Sequence, residues 1–118
     1  MKVDDVLLKA EHEAMLEVFI EENRPALEIR HKLDLGYRYD KWAFEIGEIR
    51  PPWNDMTFEK KIWLPVAKAK YVKSRKIWKL YWMRASGKWE LFPLSKEEPK
   101  LANILATIQE NPNGCFYG

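Results

Sequence analysis

The sequence is poor in cysteine and in long apolar runs, and each shortage excludes a class of protein. A single cysteine, Cys115, can form neither an internal disulfide framework nor a cysteine-based metal cluster. No apolar stretch approaches the roughly 20 residues that a membrane-spanning helix needs. The N-terminus, MKVDDVLLKAEHEA, also lacks the apolar segment of a signal peptide. We therefore expect a cytoplasmic protein that does not enter a membrane.

Sequence motifs for catalysis and cofactor binding are missing as well. The chain has no glycine-rich phosphate loop, dinucleotide fingerprint, HExxH or CxxC. Cys115 has no histidine near it in the sequence, which favours an inert thiol over a nucleophile. His12 and His31 lack metal-ligand spacing and are interpreted as ordinary surface or structural histidines. The sequence predicts no cofactor and no metal, and it leaves open whether the protein is an enzyme.

Apolar residues, by contrast, are plentiful. They make up 47% of the chain, with aromatic residues alone at 14%. This composition excludes a disordered chain, and 118 residues suffice to bury a core without disulfides or metal. We expect one domain over residues 1–118, because no linker, repeat or low-complexity tract divides the sequence.

Charge is unevenly distributed along the chain. Residues 60–89 contain ten lysines and arginines and no acid, whereas the remaining residues carry ten basic side chains against all 18 acidic ones. Such a basic segment indicates either an anionic partner or neutralisation by the protein's own acidic elements. Both interpretations stay open.

A helix is predicted near each end of the chain. The apolar residues that recur near helical spacing around residues 4–22 are Val3, Leu7, Ala10, Ala14 and Val18, and the stripe is widened by Val6, Leu8, Met15, Phe19 and Ile20. Those within residues 98–110 are Leu101, Ile104, Leu105 and Ile108. We expect both stripes to face the core. The opposite side of the first helix is acidic and is expected to be solvated or to screen the basic segment.

Residues 33–46 predict a β-hairpin. Apolar residues alternate on both sides of Asp40-Lys41, and a two-residue loop at that dipeptide pairs Tyr39 with Trp42. All the apolar side chains of the hairpin then share one face. The opposite face receives Asp34, Gly36, Arg38, Ala43, Glu45 and Gly47.

Residues 50–65 interrupt this alternation and predict a loop. Paired prolines stop a central strand, and a loop of this length in a small domain is often functional. Its aromatic residues, which are too apolar for a free linker, are Trp53, Phe58 and Trp63. We expect the loop to pack on the body of the protein.

Residues 66–92 predict a three-stranded antiparallel meander. A turn at Ser74-Arg75 pairs Tyr71 with Trp78, and a second turn at Ser86-Gly87 pairs Trp82 with Leu91. This register turns Trp78, Trp82 and Trp89 toward the core. The other face receives Val66, Lys68, Lys70, Val72, Ile77, Lys79, Tyr81, Met83, Glu90 and Phe92. Lys70 lies opposite Lys79 there, so an anionic group must lie close to them.

The predicted fold class is therefore α+β. An antiparallel sheet of about five strands, made of the hairpin and the meander, carries the N- and C-terminal helices on one face.

Three functional hypotheses follow for the sheet face opposite the helices. Binding of nucleic acid or another polyanion would use basic and aromatic side chains, of which the candidates are Lys68, Lys70, Lys79, Tyr81 and Arg84, with Phe92 and Trp63 as further rings for base stacking. A metal-dependent nuclease would use carboxylates beside those lysines, and the weak candidates are Asp34, Glu45 and Glu90. A homodimer or interaction module would instead cover the apolar residues of the same face.

Several segments resemble one known family. They are LDLGYR (33–38), FEIGEIRPPW (44–53), PVAKAKYVKSRKIWKLYWMRASGKW (65–89) and GCFYG (114–118). Together they are similar to the domain-of-unknown-function family 3024, over nearly the whole chain after the first helix. The resemblance implies a small stand-alone bacterial domain of about this length. It implies no activity, catalytic residue or cofactor.

Overall fold

The fold is described from a computed structural model, which covers residues 3–52, 54, 60–93, 97–111 and 114–116. The helices are α1 (Val3–Asn23), a short 3-10 helix (Leu27–Ile29) and α2 (Leu101–Glu110). The strands are β1 (Asp34–Asp40), β2 (Ala43–Arg50), β3 (Ile62–Val72), β4 (Ile77–Met83) and β5 (Trp89–Leu91).

The strands form one antiparallel sheet in which each strand pairs with its neighbour in sequence, in the order β1-β2-β3-β4-β5. Apolar side chains of α1 and α2 form a single core with one face of this sheet. The predicted α+β class, with a five-stranded sheet and a helix near each end, is confirmed.

The first hairpin forms with a register different from the predicted one. Tyr39 pairs with Phe44 rather than with Trp42, and the loop is Lys41-Trp42. Both loop residues have positive φ, 48° and 68°, as a type I′ turn requires. The indole of Trp42 packs 5.8 Å from the ring of Tyr71, which offsets the unfavourable backbone conformation. Because the shift is by two residues, every side chain keeps its predicted face.

The third strand begins earlier than predicted, at Ile62 instead of Val66. Pro65 fits there because residues 62–65 pair with β2 alone, whereas pairing with β4 starts at Ala67. The predicted loop is thus shorter than residues 50–65. Its expected packing through Trp53 and Phe58 lies outside the described residues.

The two registers predicted for the meander have different outcomes. The β3–β4 pairing is confirmed, with Tyr71 opposite Trp78. The β4–β5 pairing is wrong by one residue, since Trp82 faces Glu90 rather than Leu91. The cause is a three-residue loop ending at Gly87, whose φ of 83° suits glycine.

That one-residue difference exchanges the two faces of β5. Trp89 turns away from the core, and Leu91 is exposed. The next residue, Phe92, enters the core, where only 1% of it remains accessible. Its N–H donates to the carbonyl of Leu80. Val66, also predicted to face outward, is buried.

Helix α1 buries only part of the stripe predicted to face the core. Its buried residues are His12, Leu16, Phe19 and Ile20, of which Phe19 and Ile20 were predicted. The centre of the predicted stripe is exposed, with Val3 at 74%, Leu7 at 58% and Val18 at 57% accessible. Apolar residues occur on two sides of this helix. The side that is buried contains His12, a polar residue that a search for apolar periodicity leaves out.

His12 is held inside a ring of aromatic side chains. Its Nδ1 lies 2.9 Å from the hydroxyl of Tyr39, and the rings of Tyr71 and Trp78 lie 5.1 and 4.7 Å away. Burial lowers the pKa of His12 and raises that of Tyr39 to about 12. His12 is therefore a structural histidine that packs as a neutral ring.

Helix α2 begins at Leu101, later than the predicted residue 98. Glu98 bonds instead to the edge of β4: the N–H of Trp78 donates to its carbonyl at 2.7 Å, and its own N–H donates to that of Trp78 at 3.2 Å. Beyond α2, Cys115 packs against the core. Within the described residues, neither helix combines the length and apolar character needed to cross a membrane.

Candidate nucleic-acid interface

The sheet has one face without a helix among the described residues, here called the outer face. Strand alternation fixes its members, because core side chains occupy the other positions of each strand. The charged and aromatic residues of the outer face are Asp34, Arg38, Asp40, Glu45, Trp63, Lys68, Lys70, Lys79, Tyr81 and Trp89. These side chains come from all five strands.

One cross-strand row combines charges of both signs. Glu45 of β2 lies between Arg38 of β1 and Lys68 of β3, and Lys68 in turn lies opposite Tyr81 of β4. The single carboxylate therefore has a cation on each neighbouring strand, the favourable cross-strand arrangement.

The next row contains the predicted pair of like charges, Lys70 opposite Lys79. Hydrogen bonding from Arg75 lowers the pKa of Glu97, and the charge of Lys79 acts in the same direction. Glu97 thus supplies negative charge near Lys79, which the sequence argument required. Among the described residues, Lys68, Lys70 and Lys79 form no ion pair.

Trp63 lies flat on the outer face because of two local features. A register shift in the β2–β3 pairing, where Ile46 faces Ala67 and Gly47 faces Pro65, adds one residue to β3. Such a bulge re-aims the side chains beyond it, so Trp63 points outward. Its indole covers Gly47, where an added Cβ would lie 2.4 Å from the ring.

Cations lie over the aromatic rings of this face. The guanidinium of Arg38 is 4.1 Å from the centre of the Trp63 ring. The ammonium of Lys68 is 5.9 Å from Trp89, and that of Lys70 is 5.5 Å from Tyr81. These distances fall within the range of cation–π attraction. Each of three aromatic rings on the outer face therefore has its own cation.

The predicted binding residues separate into two groups. Lys68, Lys70, Lys79 and Tyr81 come together on the outer face. Arg84 does not join them, because its guanidinium lies 5.2 Å from the Trp82 ring on the core-facing side and pairs with Glu90.

The proposed catalytic carboxylates are also far apart. Asp34 and Glu45 are separated by four residues of the β1 ladder, or about 13 Å at about 3.3 Å per residue. Glu90 lies three strands from Glu45 on the other side of the sheet. Asp34 accepts two hydrogen bonds from Arg24, at 2.9 and 2.8 Å, which lower its pKa.

A metal-dependent nuclease therefore gains no geometric support and stays a prediction. No group of three or more metal-ligating side chains occurs within the described part of the chain.

Sequence reasoning placed Arg38 on the outer face but missed its contact with the Trp63 ring, and it missed Trp89 as a member of this face. A usable signal was present for the contact between Arg38 and Trp63. Gly36 and Gly47 face each other across β1 and β2 on the outer face, and glycine inside a strand indicates the close approach of another group. For Trp89, only the loop length would have revealed its side.

The fold and this face define an α+β protein with an open antiparallel sheet. The chain belongs to the family described as domain of unknown function (DUF3024), whose family model matches residues 3–118. The resemblance seen in the sequence segments is thereby confirmed. Comparison with curated proteins and with solved structures finds no match.

Proposed function

We propose that the outer face binds single-stranded nucleic acid. The observation that carries this proposal is the set of three rings, Trp63, Tyr81 and Trp89, each with a cation within 6 Å of its centre. Proteins that bind single strands without sequence preference combine aromatic surfaces for bases with basic groups for phosphates. Both components occur here together on the outer face.

The lysines and the rings have separate tasks in this proposal. Lys68 and Lys70 leave the ring faces they now cover and pair with phosphates, while bases take their place against Tyr81 and Trp89. Phosphates neutralise the like charges of Lys70 and Lys79, of which Lys79 at present interacts with the charge of Glu97. A duplex gains less, because its bases are already stacked and their faces are not available.

The test is a titration of fluorescently labelled oligothymidine and oligouridine, with a duplex of equal length for comparison. We expect both single strands to bind more tightly than the duplex. The logarithm of the affinity should fall linearly with the logarithm of salt concentration, with a slope of about −0.7 per phosphate contacted. Tryptophan fluorescence should be quenched as bases stack on Trp63 and Trp89.

Absence of binding at low salt would overturn the proposal, as would preference for the duplex.

The same samples with added Mg²⁺, analysed on a gel, test the alternative that the protein is a nuclease. Cleavage that disappears in Asp34→Ala or Glu45→Ala would assign catalysis to those residues. The predicted dimer through the outer face would compete with nucleic acid for the same side chains, so it should weaken binding as protein concentration rises.

A further inference from the structure

The helix layer, on the other side of the molecule, has a groove that the outer face does not use. It lies between α1 and α2, encloses about 440 Å³ and is lined mainly by apolar side chains. Its principal lining residues are Ala14, Met15, Val18, Ala102, Leu105 and Ala106. We call this the helix groove.

The helix groove continues into an exposed apolar stripe along α1. Val3, Val6, Leu7 and Val18 are each more than half accessible. Isolated apolar side chains on a surface need no explanation, but a contiguous row beside a groove marks an interaction site. Met15 adds a flexible side chain that can adapt to different partners.

The border of the helix groove is acidic. A second hollow adjoins it, shares Ala14, Val18 and Glu22 with it, and is also lined by Glu17 and Glu21. Lys9 is the single lysine or arginine in the two helical segments, against eight acidic residues. A partner that fits must therefore bring apolar residues together with positive charge.

A second copy of the chain does not meet that requirement through its own helix layer. An antiparallel pairing of two α1 helices can place Val3 opposite Val18 and Leu7 opposite Ala14. The same register places Asp4 opposite Glu17, so that carboxylates face carboxylates at both ends of the contact. Like charges brought together in this way oppose association.

We propose that the helix groove binds a basic amphipathic helix of another protein. Apolar side chains at i, i+3, i+4 and i+7 of that helix would fill the groove, as in other helix-in-groove complexes. Its lysines or arginines would lie against Glu17 and Glu22, and against Glu21, which at present pairs with Arg24 at 3.0 Å. The site lies on the opposite side of the sheet from the outer face, so it does not depend on nucleic-acid binding.

The probe is a synthetic helical peptide of about 18 residues, five turns, in which leucines form one stripe and lysines the rest. One control peptide has the same composition with the leucines scattered around the helix. The other has glutamate in place of lysine. We expect micromolar binding of the first peptide and at least ~10-fold weaker binding of both controls.

Two substitutions locate the contact. Val18→Asp and Ala106→Asp, both at exposed positions of the helix groove, should each weaken peptide binding by ~10-fold or more, about 1.4 kcal/mol. Leu27→Asp is the matched control, because Leu27 is 73% accessible but lies on the 3-10 helix and does not line the groove. Its binding should equal that of the unmodified protein, and thermal melting confirms that each variant folds.

Equal affinity for the scattered-leucine peptide would overturn the proposal, as would binding unaffected by Val18→Asp. A dimer in solution that dissociates on Val18→Asp would also overturn it, by assigning the helix groove to a second copy. None of these results changes the outcome expected for oligonucleotides.

Discussion

The two sides of the sheet differ in charge, since cations outnumber carboxylates on the outer face whereas carboxylates dominate the helix layer. The outer face presents Lys68, Lys70 and Lys79 beside half-buried aromatic rings, whereas the helix layer presents glutamates beside exposed valine and leucine. The formal net charge of +2 for the whole chain conceals this separation. A net charge therefore says little about partners, and the sign on each surface indicates them far better.

Tryptophan differs between the two sides in the same way. Trp78 lies in the core with 1% of its surface accessible, while Trp89 lies half-buried on the outer face. Both belong to the same basic and aromatic stretch of sequence. The side of the strand on which each tryptophan lies, and not the composition of the stretch, decides whether it stabilises the fold or is available to a ligand.

The largest expected effect is the difference in stability between variants of these two tryptophans. Trp78→Ala should lower the free energy of unfolding by about 3–5 kcal/mol, because it leaves a large cavity in the core. Trp89→Ala should lower it by about 1 kcal/mol, since the ring is already partly solvated, but it should weaken single-strand binding. Urea denaturation of the two variants measures the difference, and similar losses of stability would contradict the assignment of faces.

Reversal of charge on the outer face should have the next largest effect. Lys68→Glu with Lys70→Glu should weaken single-strand binding about 100-fold at low salt, since two phosphate contacts become repulsive. The matched control is Lys32→Glu with Lys100→Glu, which changes the net charge equally at exposed positions outside the sheet. Anisotropy titrations compare the pairs. Equal losses would indicate attraction by overall charge alone.

A smaller effect tests whether the indole of Trp63 packs on Gly47. Gly47→Ala should lower the free energy of unfolding by about 2 kcal/mol, because the new methyl group would lie 2.4 Å from the indole. Trp63→Ala in the same chain should remove most of that penalty, so the two changes are strongly non-additive. Thermal unfolding of the single and double variants measures the coupling, and simple additivity would show that the ring does not cover Gly47.

The smallest effect is a pH dependence from the helix layer. Because burial lowers the pKa of His12, the unfolded chain binds a proton near the ordinary pKa of about 6.5 while the folded chain does not. Unfolding free energy should therefore fall as pH drops below about 6.5, by at most about 1.4 kcal/mol per pH unit, and level off below the folded-state pKa. His12→Gln should remove this component between pH 7 and 5. An unchanged slope would contradict a neutral buried ring.

The fold was largely predictable from the sequence because two patterns agree. In β3 and β4, small or apolar residues alternate with charged ones over several positions, as in Ala67, Ala69 and Tyr71. Only one register places Trp78 and Leu80 opposite them on the same face. Because the two patterns agree, the predicted pairing of β3 with β4 was correct residue by residue.

The edges of the candidate site were less predictable, for identifiable physical reasons. Around β5, apolar residues occur on both faces of the strand, with Trp89 and Leu91 on one and Phe92 on the other. The alternation of apolar and polar residues therefore does not indicate which face meets the core, and the length of the β4–β5 loop determines it. Trp63 depends on a bulge beside Val66, within an apolar run that shows no alternation. In α1, the buried side contains His12, whose aromatic partners come from distant strands.

The central claim is that single-stranded nucleic acid binds the outer face, and amide chemical-shift mapping during titration with an oligonucleotide tests it most directly. We predict that the perturbed amides cluster on β3, β4 and β5 around Lys68, Lys70, Tyr81 and Trp89, with the indole signals of Trp63 and Trp89 shifting as well. The amide signals of α1 and α2 should not shift. Shifts confined to the helix layer, or no shifts at low salt, would contradict the claim.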